Sequence, residues 1–183
     1  MTVYLASTDG VDAAGLAREL ASVAARTFPL ACPPSVPADH VASFVDANLS
    51  ATRFAEYLAD ARRAILAAQH DRRIVGYAML VRGGSERDLP ADVARAVGTR
   101  PTAELSKMYL LPDFHGTDMS TALMNAALAA AGDWGVHCVW LGVNQKNSRA
   151  QRFYAKSGFR INGTRTFQLG THTENDYVMV REL

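Results

Sequence analysis

Apolar positions along this chain repeat with two different periods, and the switches between them mark out the elements. Residues 2–7 are short and β-rich and read as a first strand. Residues 12–25 read as a helix, because Leu16, Leu20 and Val23 fall on one face. The proline-rich run 28–37 is expected to be a loop, since proline continues neither a helix interior nor a central strand. Two short helices follow at 38–48 and 51–61, with Asp39 and Ser50 as caps near their starts. Strands at 64–69 and 73–81 are joined through His70-Asp71-Arg72 as a hairpin. Residues 88–97 form a small helix or loop insertion.

The second half keeps alternating. A strand at 103–111 leads into a long helix at 118–134, which Gly135 ends. A strand at 138–143, a helix at 148–156 and a short strand at 159–163 follow; 164–169 extends that strand and 177–181 closes the sheet. No linker, repeat or low-complexity tract interrupts the series. Residues 1–183 therefore read as a single domain of the α/β (α+β) class, a mixed sheet covered by helices on both faces.

Composition narrows the function more than the fold. The formal net charge is +1, so nothing draws the chain in bulk to nucleic acid or to an anionic membrane. Arg62-Arg63, Arg72-Arg73, Arg149 and Arg152 read as solvated surface. No apolar run has the length of a membrane span, no secretory leader is evident at the start, and a cytoplasmic protein is expected. The two cysteines, Cys32 in the proline-rich loop and Cys138 in an apolar run, suggest neither a disulfide framework nor a metal cluster. Cys138 reads as a small buried hydrophobe. The histidines lack ligand spacing, and no metal is expected.

The chemistry concentrates in two segments. Leu110-Leu111-Pro112-Asp113-Phe114-His115-Gly116-Thr117-Asp118-Met119-Ser120 runs from a strand through a tight turn into a helix. A helix N-terminus offers free N–H groups and a favourable dipole to an anion. The second segment, Asn147-x-x-Ala150-x-x-Phe153-Tyr154-x-x-x-Gly158-Phe159, opens and closes the next helix. In order and spacing the pair resembles the cofactor-binding half of the GNAT superfamily of N-acetyltransferases. The resemblance implies the GNAT fold: a mostly antiparallel sheet of six to seven strands with a central splayed pair. It also implies acetyl-CoA as cosubstrate, bound by Met108, Tyr109, Leu110, the turn residues His115, Gly116, Thr117, Asp118, Met119, Ser120 and Thr121, and Asn147.

By the same resemblance the backbone N–H of Leu110 polarises the thioester carbonyl and Tyr154 is the general acid for the departing thiolate. Glu104 is the base candidate; period-two alternation puts it on one strand face with Ser106, Met108 and Leu110. The family turn reads Arg/Gln-x-x-Gly-x-Gly/Ala. Here His115 stands for the Arg or Gln, Asp118 for the first Gly and Ser120 for the last small residue. A carboxylate about 5 Å from a phosphate at an effective dielectric of ~20 costs roughly 3 kcal/mol. Asp118 therefore either weakens the cofactor site or serves as the helix N-cap.

Thr27-Phe28-Pro29-Leu30, Ile74-Val75-Gly76-Tyr77 and Phe167-x-Leu169-Gly170 followed by Asp176 resemble a narrower branch, the bacterial polyamine N-acetyltransferases. That branch implies carboxylates for a long cation, and Asp39, Asp46, Glu56, Glu174 and Asp176 are the candidates in loops. Residues 170–176 read first as a polar hairpin loop, in which His172 dilutes the acidity. The expected activity is acetyl transfer from acetyl-CoA to a primary amine by direct attack in a ternary complex. Two rivals stand beside it: a GNAT-fold binding protein without activity, and a transferase for another acyl-CoA, for which Met108 and Met119 would leave room. A homodimer through the C-terminal strands is also implied by the family.

Overall fold

A computed structural model describes residues 1–7, 12–83, 89–98 and 101–183. Its strands are β1 (Thr2–Leu5), β2 (Arg63–His70), β3 (Arg73–Arg82), β4 (Thr102–Leu110), β5 (Cys138–Asn144), β6 (Arg160–Leu169) and β7 (His172–Glu182). Its helices are α1 (Ala13–Ala31), α2 (Ala38–Asn48), α3 (Ala51–Ala59), α4 (Ala91–Val97), α5 (Asp118–Asp133) and α6 (Ser148–Lys156). The strands form one seven-stranded sheet in the order β1-β2-β3-β4-β5-β7-β6. Every neighbouring pair is antiparallel except β4 with β5.

Burial explains why the sheet needs helices on both sides. In β3 the residues from Ile74 to Leu80 are buried without alternation, which requires cover over both faces. Two aromatic contacts tie that strand to its neighbours: Phe54 of α3 meets Tyr77 edge-on at 5.2 Å, and Tyr77 meets Tyr109 of β4 at 5.8 Å. The β2–β3 hairpin closes with Asp71 and Arg72 both at positive φ, 48° and 63°, the backbone a two-residue hairpin turn demands.

The central feature is the parting of β4 and β5. They pair only at Thr102–Cys138, Ala103–Val139 and Glu104–Trp140. Beyond Glu104, β4 stays bonded to β3 on one side and has no partner on the other. Leu111 N–H donates to Val75 O at 2.8 Å, toward β3. Successive N–H groups of a strand point to opposite sides. The N–H of Leu110 therefore faces the gap left by β5.

Several sequence expectations need correction. Helix α1 does not stop at residue 25 but continues through Pro29 to Ala31. A proline in the last turn removes only one hydrogen bond, and the extension buries Phe28, which stacks on Phe44 of α2 at 4.6 Å. Strand β7 begins at His172, so Glu174 and Asp176 lie on a strand and not in a loop. Its register with β6 makes the two a long hairpin in which Gly163, Arg165, Phe167 and Leu169 alternate inward. Helix α2 takes Pro37 as its N-cap, with Asp39 in the first turn, whereas Ser50 does cap α3. Helix α5 is capped by Thr117 and not by Asp118, which occupies the first helical position. Of the 88–97 insertion, α4 is confirmed, while Asp88 lies outside the described residues.

The alternation expected along β4 also fails. Tyr77, Met79 and Val81 share a face of β3, and they pair with Tyr109, Lys107 and Glu104. Ser106 is the extra residue of a β-bulge, so Glu104 shares a face with Lys107 and Tyr109 and not with Met108 and Leu110. A bulge adds one residue to one strand and exchanges the faces beyond it.

Candidate active site

The gap between β4 and β5 opens into a groove of about 740 Å³. Glu104, Met108, Tyr109, Leu110, His115, Gly116, Ser120, Asn147 and Tyr154 line it, together with the C-terminal end of α1 and part of α2. Two elements approach each other across this opening: the turn before α5 and the first turns of α6.

The turn is braced by its own side chains. A ring nitrogen of His115, Nε2, lies 2.7 Å from Leu110 O, folding the imidazole back onto β4. Thr117 Oγ1 donates to Phe114 O at 2.7 Å and accepts from Met119 N–H at 3.3 Å; Ser120 Oγ donates to Thr117 O at 3.1 Å. Gly116 has φ +76°, a backbone that other residues adopt only at a cost, and open space where its Cβ would stand. The side chains of Thr117, Asp118, Met119 and Thr121 are not part of the groove wall. Met119 is buried in the core, and Thr121 faces a separate hollow beside Ser157 and Arg181. Asp118 is exposed and its residue is not part of the groove lining.

Charge for an anion comes from the opposite wall. Arg149, Arg152 and Lys156 stand at i, i+3 and i+7 on α6 and line the groove. Arg149 and Arg152 had read as solvated surface; their helical spacing with Lys156 was the available signal. Asn147 caps α6 by accepting Ala150 N–H at 3.0 Å. Tyr154, seven positions along, is half-buried between Phe153 and Phe159, with ring centroids 5.6 and 6.0 Å away. Its hydroxyl has no hydrogen-bond partner among the described residues and borders the groove. Burial pushes its pKa up to about 12, so it carries its proton at neutral pH.

The base of the splay holds a charge cluster. Arg165 of β6 reaches past β7 to place its Nη1 3.6 Å from Glu104 and its Nε 3.5 Å from Asp176, with its guanidinium carbon 5.4 Å from the Trp140 ring centre. It occupies the space that a Cβ at Gly142 would need. Glu104 is thus held by a cation and is not an isolated base. Asp176 is 6% exposed, and desolvation raises its pKa against the opposing pull of Arg165. Glu174, also buried, accepts from Asn144 Nδ2 at 3.0 Å and Lys146 Nζ at 3.1 Å. The other weighed carboxylates, Asp39, Asp46 and Glu56, are exposed and do not line the groove. Lys107 sits over the Tyr57 ring at 5.3 Å, and burial lowers it to about 8.

Arg165 and Cys32 are among the groove residues that sequence reasoning missed. Arg165 meets Glu104, Asp176 and Trp140 through its guanidinium, and only the strand pairing brings them within reach. Cys32, expected away from the chemistry, stands on the groove wall because α1 is longer than its prolines suggest. Its Sγ donates to Phe28 O at 3.4 Å, and burial, with Glu174 nearby, pushes the thiol up to about 11. It is un-ionised at neutral pH and a poor nucleophile. Among the described residues there is no cluster able to hold a metal ion, and no helix is long and apolar enough to cross a membrane.

The chain matches the family model described as the acetyltransferase (GNAT) family over residues 25–159. It is 68% identical over 167 residues to an uncharacterised N-acetyltransferase of Mycobacterium tuberculosis, covering 91% of this chain and 97% of that one. Among solved structures it resembles the PaiA N-acetyltransferase of Thermoplasma acidophilum in complex with coenzyme A, with TM-score 0.73, 18% identity and full coverage of both chains. An aminoglycoside 6'-acetyltransferase type Ii gives TM-score 0.68 at 15% identity, over 100% of this chain and 97% of that chain. At these identities the structural likenesses speak for the fold alone. The splayed pair, the braced turn and the family match over most of the chain lead to one conclusion: this protein belongs to the acetyltransferase (GNAT) family, the acyltransferases that take acetyl-CoA as cosubstrate.

Proposed function

We propose that this protein transfers the acetyl group of acetyl-CoA to a primary amine by direct attack in a ternary complex. The observation that carries the reading is the unpaired edge of β4 facing Tyr154, whose hydroxyl is protonated and free, across the groove. The groove fits an elongated anionic ligand. Gly116 leaves its turn open, α5 presents its N-terminal N–H groups, and Arg149, Arg152 and Lys156 supply positive charge. Acetyl-CoA supplies an acyl carbon activated as a thioester.

The chain's own groups then divide the work. Leu110 N–H polarises the acyl oxygen. The amine gives up a proton, to Glu104 or to solvent, and its lone pair attacks the carbonyl carbon. The C–N bond forms, the C–S bond breaks and Tyr154 donates its proton to the sulfur; the second proton then leaves the new amide nitrogen, and Tyr154 is reprotonated in turn. The protonated Cys32 favours direct attack over a covalent acyl-enzyme. Cytoplasmic location and homodimerisation through the C-terminal strands are part of this proposal; the narrower resemblance adds a polyamine as one candidate among primary-amine acceptors. Glu174 and Asp176 are the carboxylates that support the polyamine reading. A different acyl-CoA finds less support, since Met119 is buried in the core and only Met108 borders the groove.

The test is acetylation of a primary-amine panel, followed by thiol release, with Tyr154→Phe beside wild type. The expected result is turnover by wild type and a loss of ~10²-fold or more in the variant with acetyl-CoA affinity retained. Turnover unchanged in Tyr154→Phe would remove it from the acid role.

A further inference from the structure

The acceptor end of the groove has a chemistry of its own. Phe28 of α1, Phe44 of α2 and Phe167 of β6 form a continuous aromatic wall, with Phe44 4.6 Å from Phe28 and 5.8 Å from Phe167 between ring centres. Leu30 extends it to the rim and is 65% exposed, a large apolar side chain facing solvent with nothing over it. Across the β6–β7 pairing, Phe167 lies opposite Glu174 and Arg165 opposite Asp176, so the carboxylate of Asp176 stands diagonal to the last ring of the wall.

Asp176 is the carboxylate at this end. It is 6% exposed, lines the groove, and shares one cation, Arg165, with Glu104. Its ion pair with Arg165 is long, 3.5 Å, and Arg165 Nε has no hydrogen-bond partner. Glu174, by contrast, is already neutralised by Lys146. Glu104, Arg165 and Asp176 together carry one net negative charge, and Lys107 turns its Nζ toward the Tyr57 ring.

We propose that the acceptor is a monoamine on an aromatic or aliphatic body, its ammonium received by Asp176 and its body laid on the Phe28–Phe44–Phe167 wall. A polyamine would need further carboxylates along its path. That path is aromatic, and the exposed carboxylates Asp39, Asp46 and Glu56 lie off it. The inference rests on the acetyltransferase reading above and narrows its acceptor; Asp176 acts as a binding group.

The experiment measures kcat/KM of the full chain with acetyl-CoA and 2-phenylethylamine, hexylamine, putrescine or spermidine, beside calorimetric titration of acetyl-CoA alone. The expected result is at least ~10-fold higher kcat/KM for the two monoamines than for the polyamines. Asp176→Asn should raise the monoamine KM ~10-fold or more while leaving acetyl-CoA affinity unchanged. Phe44→Leu, which keeps an apolar side chain in the core, should lower kcat/KM for 2-phenylethylamine more than for hexylamine. Spermidine or putrescine as the better substrate overturns the inference, as does Asp176→Asn without effect on KM. If acetyl-CoA binds and no monoamine is turned over, the acceptor inference fails alone. If acetyl-CoA does not bind, the transferase reading fails with it.

Discussion

At the scale of single residues, direction matters more than identity. Asp118 stands where the family turn carries glycine, and by sequence it is either a repulsive charge or a cap. The structure gives the cap to Thr117 and leaves Asp118 exposed, outside the groove lining. Asp118→Gly is therefore expected to change the acetyl-CoA Kd by less than ~3-fold, as an exposed, screened charge would; calorimetry of the two proteins checks it, and a hundredfold tightening would restore the repulsion argument. Lys107 makes a second residue-scale case. Burial lowers its pKa from 10.5 to about 8, so between those values the unfolded chain binds more protons than the folded one. Stability should then rise with pH through that window, and the cost of the buried ammonium is fully present below it. Lys107→Met is expected to raise Tm at pH 7 by ~2–4 °C, with the gain shrinking as pH rises from about 8 toward 10.5; melting curves across pH decide it.

The elements explain what a linear reading could and could not find. The β2–β3 hairpin, the strand-turn-helix from β4 to α5 and the amphipathic α6 announce themselves through local periodicity and turn residues. The prolines around α1 mislead, because a helix tolerates proline in its last turn when the extension buries a Phe28. The bulge at Ser106 is invisible in the sequence, since one inserted residue leaves the composition of β4 unchanged while exchanging its faces. Arg165 is beyond local reading for another reason: its partners lie on three different strands, β4, β5 and β7. Gly142 belongs to that arrangement, since its missing Cβ is where the guanidinium lies. Gly142→Ala must displace Arg165 and is expected to lower turnover at least ~10-fold, the cost of a misplaced reacting group, with a far-UV spectrum like wild type. Unchanged kinetics would show that the cluster does not shape the site. The cationic face of α6 gives a further expectation: Arg149→Ala with Arg152→Ala should weaken acetyl-CoA binding and flatten its dependence on salt, read from titrations at two ionic strengths.

For the whole molecule, one structural decision produces the site. A sheet with a single parallel contact, at its centre, opens where that contact ends, and the opening exposes backbone groups that the interior of a sheet ordinarily consumes. The helices then add what backbone cannot: an N-terminus from α5, cations and a phenol from α6, and an apolar wall from α1 and α2. This division explains why the fold class was legible from alternating periods and the family from two motifs, whereas the acceptor end was not. The proposed acceptor end is assembled from distant elements, α1, α2, β6 and β7. Titration of acetyl-CoA into the purified protein by calorimetry tests the account most directly. The account predicts a single site with a Kd in the micromolar range, typical of a cosubstrate. Absence of heat at millimolar acetyl-CoA would contradict it.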